Sequence, residues 1–186
     1  MDSKSTRESY HAQNLPHIRS AGRTYHVRFS IAIPSLALRE DWAFALTEEA
    51  ILFRHKWQSI VYGYIIMPNH VHTILQPLPL RSGPMMPAGI RDYHALEAIV
   101  AGIKKHTALE INSRLGRTGP FWQEESFDRI IRSGKDLEGT IEYIHRNPVR
   151  WGLASRAEEY RWSSINTIYS GRIEYADWFD LSGIIG

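Results

Sequence analysis

The chain contains no cysteine, and features that mark several other protein classes are also missing from its 186 residues. Without cysteine there is no disulfide framework, no thiolate zinc site and no cysteine nucleophile. No run of eighteen apolar residues occurs, so no membrane span is expected. The polar N-terminal segment lacks the apolar core of a signal peptide. Together these absences predict a cytoplasmic protein.

The chain also lacks a strong excess of charge of either sign, since its formal net charge is +2. Its hydrophobic content of 43% and charged content of 23% are ordinary for a globular protein. Composition therefore does not identify a nucleic-acid-binding protein, and any basic surface must be local. We expect residues 1–22 to form a disordered tail, because apolar residues are sparse and aperiodic there. Residues 23–186 are long enough for a single domain with its own core.

The hydrophobic periodicity predicts an α+β fold. Its elements follow the order β-α-β-β-α-β, and then a further helix that carries Tyr143. This order predicts a ferredoxin-like split β-α-β sandwich: a four-stranded antiparallel sheet with helices on one face, plus the tyrosine helix and a C-terminal extension. The predicted strands are 24–33, 60–66, 70–76 and 127–132, and the predicted helices are 39–57, 92–115 and 136–146.

Two histidines, His70 and His72, follow the turn Met67-Pro68-Asn69. Alternate residues of a strand face the same side, so both imidazoles are expected on one face, about 6.6 Å apart along the strand. Two such imidazoles can chelate one divalent ion. With an amide oxygen they would suit Mg²⁺ or Mn²⁺ acting on phosphate. Taken alone, the pair could equally be part of a polar sheet surface.

A tyrosine and an asparagine, Tyr143 and Asn147, are four residues apart on the last predicted helix. Residues at this spacing lie on the same helix face. The phenol, with an ordinary pKa of about 10, needs activation before it can attack a phosphate. Taken alone, the tyrosine could be a residue at the rim of the core, and an asparagine before Pro148 could simply end the helix.

Basic and aromatic residues elsewhere are candidates for DNA contacts. Lysines and arginines could follow the phosphate backbone, and an aromatic ring in a loop could stack on an unpaired base. Each of them could instead be a solvated charge or a core aromatic. The candidates are Lys104, Lys105, Trp122, Arg129, Arg132 and Arg146.

In combination and order, these stretches resemble the REP-associated tyrosine transposases. That family belongs to the HUH single-strand endonuclease group, which also includes the single-tyrosine insertion-sequence transposases. The resemblance covers roughly residues 23–170. It is carried by Met67–His72, Ile103-Lys104-Lys105, Ile111-Asn112, Phe121–Glu124, Phe127–Arg132, Tyr143–Val149, Gly152-Leu153 and Trp162-Ser163-Ser164.

The resemblance implies that Tyr143 is the nucleophile and that His70, His72 and Asn147 bind the metal, Mg²⁺ or Mn²⁺. It implies transesterification of single-stranded DNA beside a hairpin of a repetitive palindromic element. The products would be a 5′-phosphotyrosine and a free 3′-hydroxyl, and the chain would act as a monomer or a homodimer in DNA transposition and recombination. Rejoining needs no ATP, in agreement with the lack of a Gly-x-x-x-x-Gly-Lys-Ser/Thr motif.

Two alternatives remain at this stage. One is a catalytically silent protein on the same fold that binds nucleic acid by sequence or structure. The other is a metal hydrolase acting on small molecules, which has little support because no further histidine motif or paired carboxylate is present. The presence of all four residues, His70, His72, Tyr143 and Asn147, favours the DNA-cleaving enzyme.

Overall fold

The computed structural model describes residues 22–80 and 93–169. Residues 1–21 of the predicted tail lie outside these ranges. So do most of the proline-rich loop that follows the third strand and the end of the predicted extension. Two short 3-10 turns accompany the helices and strands. The elements are β1 (Tyr25–Ser30), α1 (Asp41–Leu52), β2 (Ser59–Ile66), β3 (His70–Pro77), α2 (Leu96–Arg114), β4 (Phe127–Ile130), α3 (Gly134–His145), α4 (Asn147–Arg150) and α5 (Ser164–Tyr169).

The four strands form one sheet in the order β2-β3-β1-β4, and every neighbouring pair is antiparallel. This is the arrangement predicted from the element order, so the ferredoxin-like α+β fold is confirmed. Strands β2 and β3 form a hairpin whose turn is closed by a 2.8 Å hydrogen bond from the Met67 amide to the His70 carbonyl. Strand β3 is therefore central, with β1 on its other side.

The two faces of the sheet carry separate hydrophobic clusters. Val27, Phe29 and Val71 point towards α1 and α2 and belong to the larger cluster. Ile65 and Ile74 point to the opposite face, where they pack against apolar residues of α3. Helices α1 and α2 thus share one face, while the tyrosine helix α3 covers part of the other. The buried stripe of α3 consists of Leu137, Ile141 and Ile144.

The N-terminus of α3 is fixed by local hydrogen bonds. The Ser133 hydroxyl accepts a 3.1 Å bond from the Asp136 amide. A carboxylate oxygen of Asp136 accepts a 2.9 Å bond from the Arg132 amide. Both bonds satisfy backbone donors near the helix start, as N-cap side chains do. Arg132 consequently lies in the turn before α3, and its predicted place in the fourth strand is wrong because β4 ends at Ile130.

The C-terminal half of α3 is tied to the sheet through a buried histidine. His145 Nε2 lies 2.8 Å from the Ser164 hydroxyl oxygen, which also accepts a 2.9 Å bond from the Tyr64 amide of β2. This link joins α3, α5 and β2. It fixes the end of the helix that carries Tyr143 against the sheet.

Acid is expected to weaken the fold through His145. Burial lowers the pKa of this ring to about 3 from its ordinary value of 6.5. Between these pH values the unfolded chain binds a proton that the folded chain does not, so stability falls as the pH decreases. From pH 7 to pH 5 this residue should remove about 2 kcal/mol from the free energy of unfolding.

Urea unfolding at both pH values would measure this loss. The His145→Gln variant should show a smaller loss between pH 7 and pH 5 than the unsubstituted chain. His106→Gln, which replaces an exposed histidine of α2, serves as the matched control. Equal losses in the His145→Gln protein and the unsubstituted chain would contradict the assignment.

Several predicted boundaries are wrong by a few residues. The first two helices are shorter than predicted, and α2 begins after Ala95, whereas residue 92, where that helix was predicted to begin, lies outside the described residues. Helix α3 ends at His145, and Pro148 does not stop the chain from turning again. It lies in the first turn of α4, where a missing N–H costs no hydrogen bond. Within the described ranges, no helix has the length and apolar character needed to cross a membrane.

Candidate active site

Neighbouring strands β1 and β3 bring polar side chains together on the sheet face opposite α1 and α2. In the register of this pair, Arg28 is opposite His72 and Ser30 is opposite His70. Directly paired residues of antiparallel strands share a face, and so do alternate residues along each strand. His26, Arg28, His70 and His72 therefore belong to one face. The predicted same-face placement of His70 and His72 is confirmed.

Both predicted metal-binding histidines have one ring nitrogen already engaged. His70 Nδ1 lies 2.6 Å from Asn69 Oδ1. An amide oxygen can only accept, so Nδ1 is the donor and the Nε2 of a neutral His70 keeps a free lone pair. His72 Nδ1 lies 2.9 Å from His26 Nε2. The rings of His70 and His72 are perpendicular, with centroids 4.9 Å apart. Such partners fix ring orientation and tautomer in metal sites.

The three histidines are neutral at neutral pH. Burial, helped by the positive charges of Arg129 and Arg28, lowers the pKa of His26 to about 4. Burial, helped by Arg28, lowers the pKa of His70 to about 4. Burial and the neighbouring imidazoles lower the pKa of His72 to about 3. A metal-binding imidazole must be deprotonated. The site therefore offers neutral nitrogen donors without having to release protons first.

Tyr143 projects from α3 over this cluster. Its ring centroid lies 5.8 Å from that of His72 and 6.2 Å from that of His26, and both contacts are edge-on. The guanidinium carbon of Arg150 lies 5.9 Å from the same ring centroid. The side chain is 45% exposed. A half-exposed phenol beside neutral imidazoles and a cation can reach a phosphate that approaches from solvent.

Asn147 is buried below this surface. Its amide nitrogen donates to the Tyr143 carbonyl oxygen at 3.0 Å and to the Ile144 carbonyl oxygen at 3.2 Å. These bonds leave Oδ1 as the atom that would bind a cation. The described contacts join Asn147 to the backbone of α3 and do not join it to either histidine. Its predicted position at a helix end is corrected in one respect, because it also begins α4.

Arg129 lies on the same face as His26, with which it is paired across the β1–β4 ladder. Its guanidinium is held by Asp136 at 2.9 Å and by the Thr140 hydroxyl at 2.8 Å. Hydrogen bonds from the Arg132 amide and from Arg129 hold the pKa of the Asp136 carboxyl below its usual value. Because its charge is balanced, Arg129 is a weaker candidate for phosphate binding than the sequence indicated.

The other basic residues that were predicted to contact DNA do not all lie near the histidines. Arg146 is exposed near the end of α3 and pairs with Glu142 at 2.9 Å. Lys104 and Lys105 are on α2, which covers the opposite face of the sheet, so the structure does not bring them to the histidines. The Lys104 ammonium donates to the Glu124 carbonyl at 2.7 Å. Their role in binding DNA stays a prediction.

The predicted stacking role of Trp122 does not fit its position. The side chain is 5% exposed, and its indole N–H donates to the Thr107 hydroxyl at 2.8 Å. The ring packs edge-on against Phe29 in the larger hydrophobic cluster. It is a core residue because the segment before β4 turns inwards towards α2.

Four residues near the site were not identified as site residues by the sequence reasoning. His26 and Arg28 alternate along β1 with Val27 and Phe29, and this alternation indicates that the two pairs face opposite sides of the sheet. The alternation could not reveal that β1 lies beside β3. Phe127 likewise alternates with Asp128 on β4. The four are His26, Arg28, Phe127 and Trp151.

A cleft of about 480 Å³ opens beside the cluster, between β4 and α3. His26 and Tyr143 line one part of it, and Phe127, Arg129 and Lys135 line another. Its size is typical of a pocket for a small ligand or a nucleotide-sized group. The phenol of Tyr143 thus stands at the edge of a space that substrate can enter.

The chain is similar to known proteins in part of its sequence and in its fold. No protein-family model matches the sequence. A protein of Haemophilus influenzae, named as a candidate REP-associated tyrosine transposase, is 25% identical over 122 residues, which span 61% of this chain and 62% of that protein. The match therefore covers less than two thirds of that relative's own length.

Solved structures support the fold. A REP-associated tyrosine transposase bound to a REP hairpin superposes with a TM-score of 0.66 at 18% identity, over 90% of this chain and 92% of the other. A candidate transposase from Deinococcus radiodurans gives a TM-score of 0.41 at 15% identity, over 72% and 97% of the two chains. The TM-score of this second match is too low to bear on the fold.

On the four-stranded antiparallel sheet, the central strand that carries His70 and His72 lies beside the helix that carries Tyr143. The chain is similar in sequence and in fold to the REP-associated tyrosine transposases. The resemblance indicated by the sequence is thereby confirmed.

Proposed function

We propose that this chain cleaves and rejoins single-stranded DNA next to a hairpin, with Tyr143 as the nucleophile. The observation that carries the proposal is the meeting of Tyr143 with His70 and His72 on the open face of the sheet. The ring of Tyr143 contacts that of His72, which in turn contacts that of His70. The solved relative that binds a REP hairpin supports the choice of substrate.

The reaction balances without an external energy source. The Tyr143 oxygen forms a bond to phosphorus, the bond from phosphorus to the 3′ oxygen breaks, and the proton lost by the phenol is matched by one gained at the 3′-hydroxyl. The DNA is left with a 5′-phosphotyrosine. Attack of a 3′-hydroxyl on that linkage reverses the step and rejoins a strand. Arg28 and Arg150 are placed to hold the charged phosphate oxygens during both steps.

Two of the ligand positions around one divalent cation can be filled by histidine nitrogens of this site. His70 and His72 would hold it through Nε2, and Asn147 Oδ1 is the proposed third ligand. Over residues 22–80 and 93–169 no group of three His, Cys, Asp or Glu side chains forms a complete metal site, so further ligands must be amide, water or phosphate oxygens. When bound, Mg²⁺ or Mn²⁺ polarises the phosphate and neutralises its charge.

His26 is expected to tune this metal site although it is not a proposed ligand. When His72 binds through Nε2, its Nδ1–H must donate to His26 Nε2, which fixes both tautomers. Replacing His26 by leucine should weaken Mn²⁺ binding about 10- to 100-fold, as losses of such partners do. Titration calorimetry with Mn²⁺ would measure the change, and His106→Leu on α2 is the control. Unchanged affinity would show that His26 does not support the ligand.

Covalent capture tests the proposed function directly. A labelled DNA hairpin with single-stranded flanks would be incubated with the protein and Mn²⁺, with a chelator as the control. We expect a labelled band on a denaturing gel that disappears with the chelator, and a DNA-linked peptide that contains Tyr143. Binding without an adduct, under Mg²⁺ and Mn²⁺ and with several hairpins, would instead support a catalytically silent DNA-binding protein.

A further inference from the structure

Two exposed aromatic side chains stand at opposite ends of the histidine cluster. Phe127 on β4 is 58% exposed, and Trp151 directly after α4 is 62% exposed. The ring centroid of Phe127 lies 6.4 Å from that of His26, and the ring centroid of Trp151 lies 6.4 Å from that of His70. Since His26 and His70 both contact His72, the five rings form one continuous row.

We infer that Phe127 and Trp151 are stacking surfaces for unpaired nucleobases on the two sides of the phosphate that Tyr143 attacks. The inference rests on the proposed function and specifies how the substrate crosses the site. Single exposed apolar residues are common and need no explanation. Here, however, the two rings flank the same cluster, one at each end. Base stacking on aromatic side chains is a usual way of holding single-stranded DNA.

The charges around the row favour a nucleic-acid strand over an apolar partner. Arg28 is exposed on the same face. Arg150 lies over the Tyr143 ring. A strand with its bases on Phe127 and Trp151 would lay its phosphates along these cations. A second copy of the chain or an apolar peptide would leave their charge uncompensated.

The cleft gives one of the two bases a place to enter. Phe127 forms part of its wall, with His26 and Tyr143 on the side of the cluster and Lys135 on the side of solvent. A base seated against Phe127 in this cleft would bring the neighbouring phosphate towards the phenol. Trp151 would then hold the strand beyond His70.

Equilibrium binding to two probes separates stacking from backbone contacts. The probes are a fluorescein-labelled single strand of twelve thymidines and an abasic strand of the same length. Binding would be measured by anisotropy in a Tyr143→Phe background. Phe127→Ala and Trp151→Ala should each weaken binding of the thymidine strand about 5- to 150-fold, the loss of one stacked base. Their affinity for the abasic strand should stay within about twofold.

Matched controls exist on the other face of the sheet. Phe53 is 75% exposed and Trp57 is 63% exposed, and both follow α1. Phe53→Ala and Trp57→Ala should leave binding of both probes unchanged. Trp151→Tyr should restore most of the affinity lost in Trp151→Ala, because any aromatic face can stack.

The outcomes distinguish this inference from the proposed function. It is overturned if Phe127→Ala and Trp151→Ala bind the thymidine strand as the controls do, if they lose affinity equally for the abasic strand, or if the background protein prefers neither strand. An unsubstituted chain that forms no covalent adduct, together with the expected stacking losses, would remove the enzymatic proposal alone. If the adduct forms but binding does not depend on the bases, only the inference about stacking surfaces is wrong.

Discussion

Tyr143→Phe is expected to abolish the covalent protein–DNA adduct and to lower strand cleavage on the order of 10³-fold or more, because it removes the attacking oxygen. The substitution is conservative in every other respect. A phenyl ring keeps the edge contacts with His26 and His72 and the contact with Arg150. Hairpin affinity should therefore change no more than a few-fold. Cleavage and adduct formation would be read on a denaturing gel, and affinity by anisotropy.

Tyr62→Phe supplies the matched control for this experiment. It also deletes one phenol oxygen, which donates a 2.7 Å hydrogen bond to Gln76 towards the other end of the β2–β3 hairpin. This variant should cleave as the unsubstituted chain does. An adduct that persists in Tyr143→Phe would mean that a different residue attacks the phosphate. Equal losses in the two tyrosine variants would point to a general effect on the fold.

The fold was largely predictable because its signals are local. Strand alternation and the short turn before His70 define the hairpin, and a strand connected to its neighbour by three residues must pair with it in antiparallel fashion. The same alternation places His70 and His72 on one face. The spacing of Tyr143 on a helix with a buried stripe likewise gave its direction correctly. Each of these inferences needs only the residue spacing within one strand, turn or helix.

The parts that were not predictable depend on which elements meet. The sequence shows His26 and Arg28 on one face of a strand, but only the strand order places that face beside His72. Trp122 lies in a segment without hydrophobic periodicity, so the sequence could not show that its side chain points into the core. Arg132 alternates correctly for a strand, yet its amide donates to Asp136 because Ser133 is the N-cap of the next helix.

His72→Ala is expected to lower cleavage on the order of 10³-fold while hairpin affinity stays within a few-fold. The loss corresponds to the several kcal/mol of transition-state stabilisation that a catalytic metal supplies. DNA affinity is expected to persist because contacts between cations and phosphates dominate binding. The variant should also lose most of the stabilisation by Mn²⁺, which for the unsubstituted chain amounts to about 2.7 kcal/mol at a metal concentration a hundredfold above the dissociation constant.

Metal-dependent thermal unfolding separates this role from a structural one. His72 is buried and bonded to His26, so alanine also leaves a small cavity, whereas His72→Gln keeps a polar side chain of similar reach. If both variants unfold near the metal-free temperature of the unsubstituted chain, bind hairpin and fail to cleave, His72 acts through the metal. If cleavage and hairpin affinity fall together in both, the histidines hold the sheet surface in shape, and the proposed metal site is wrong.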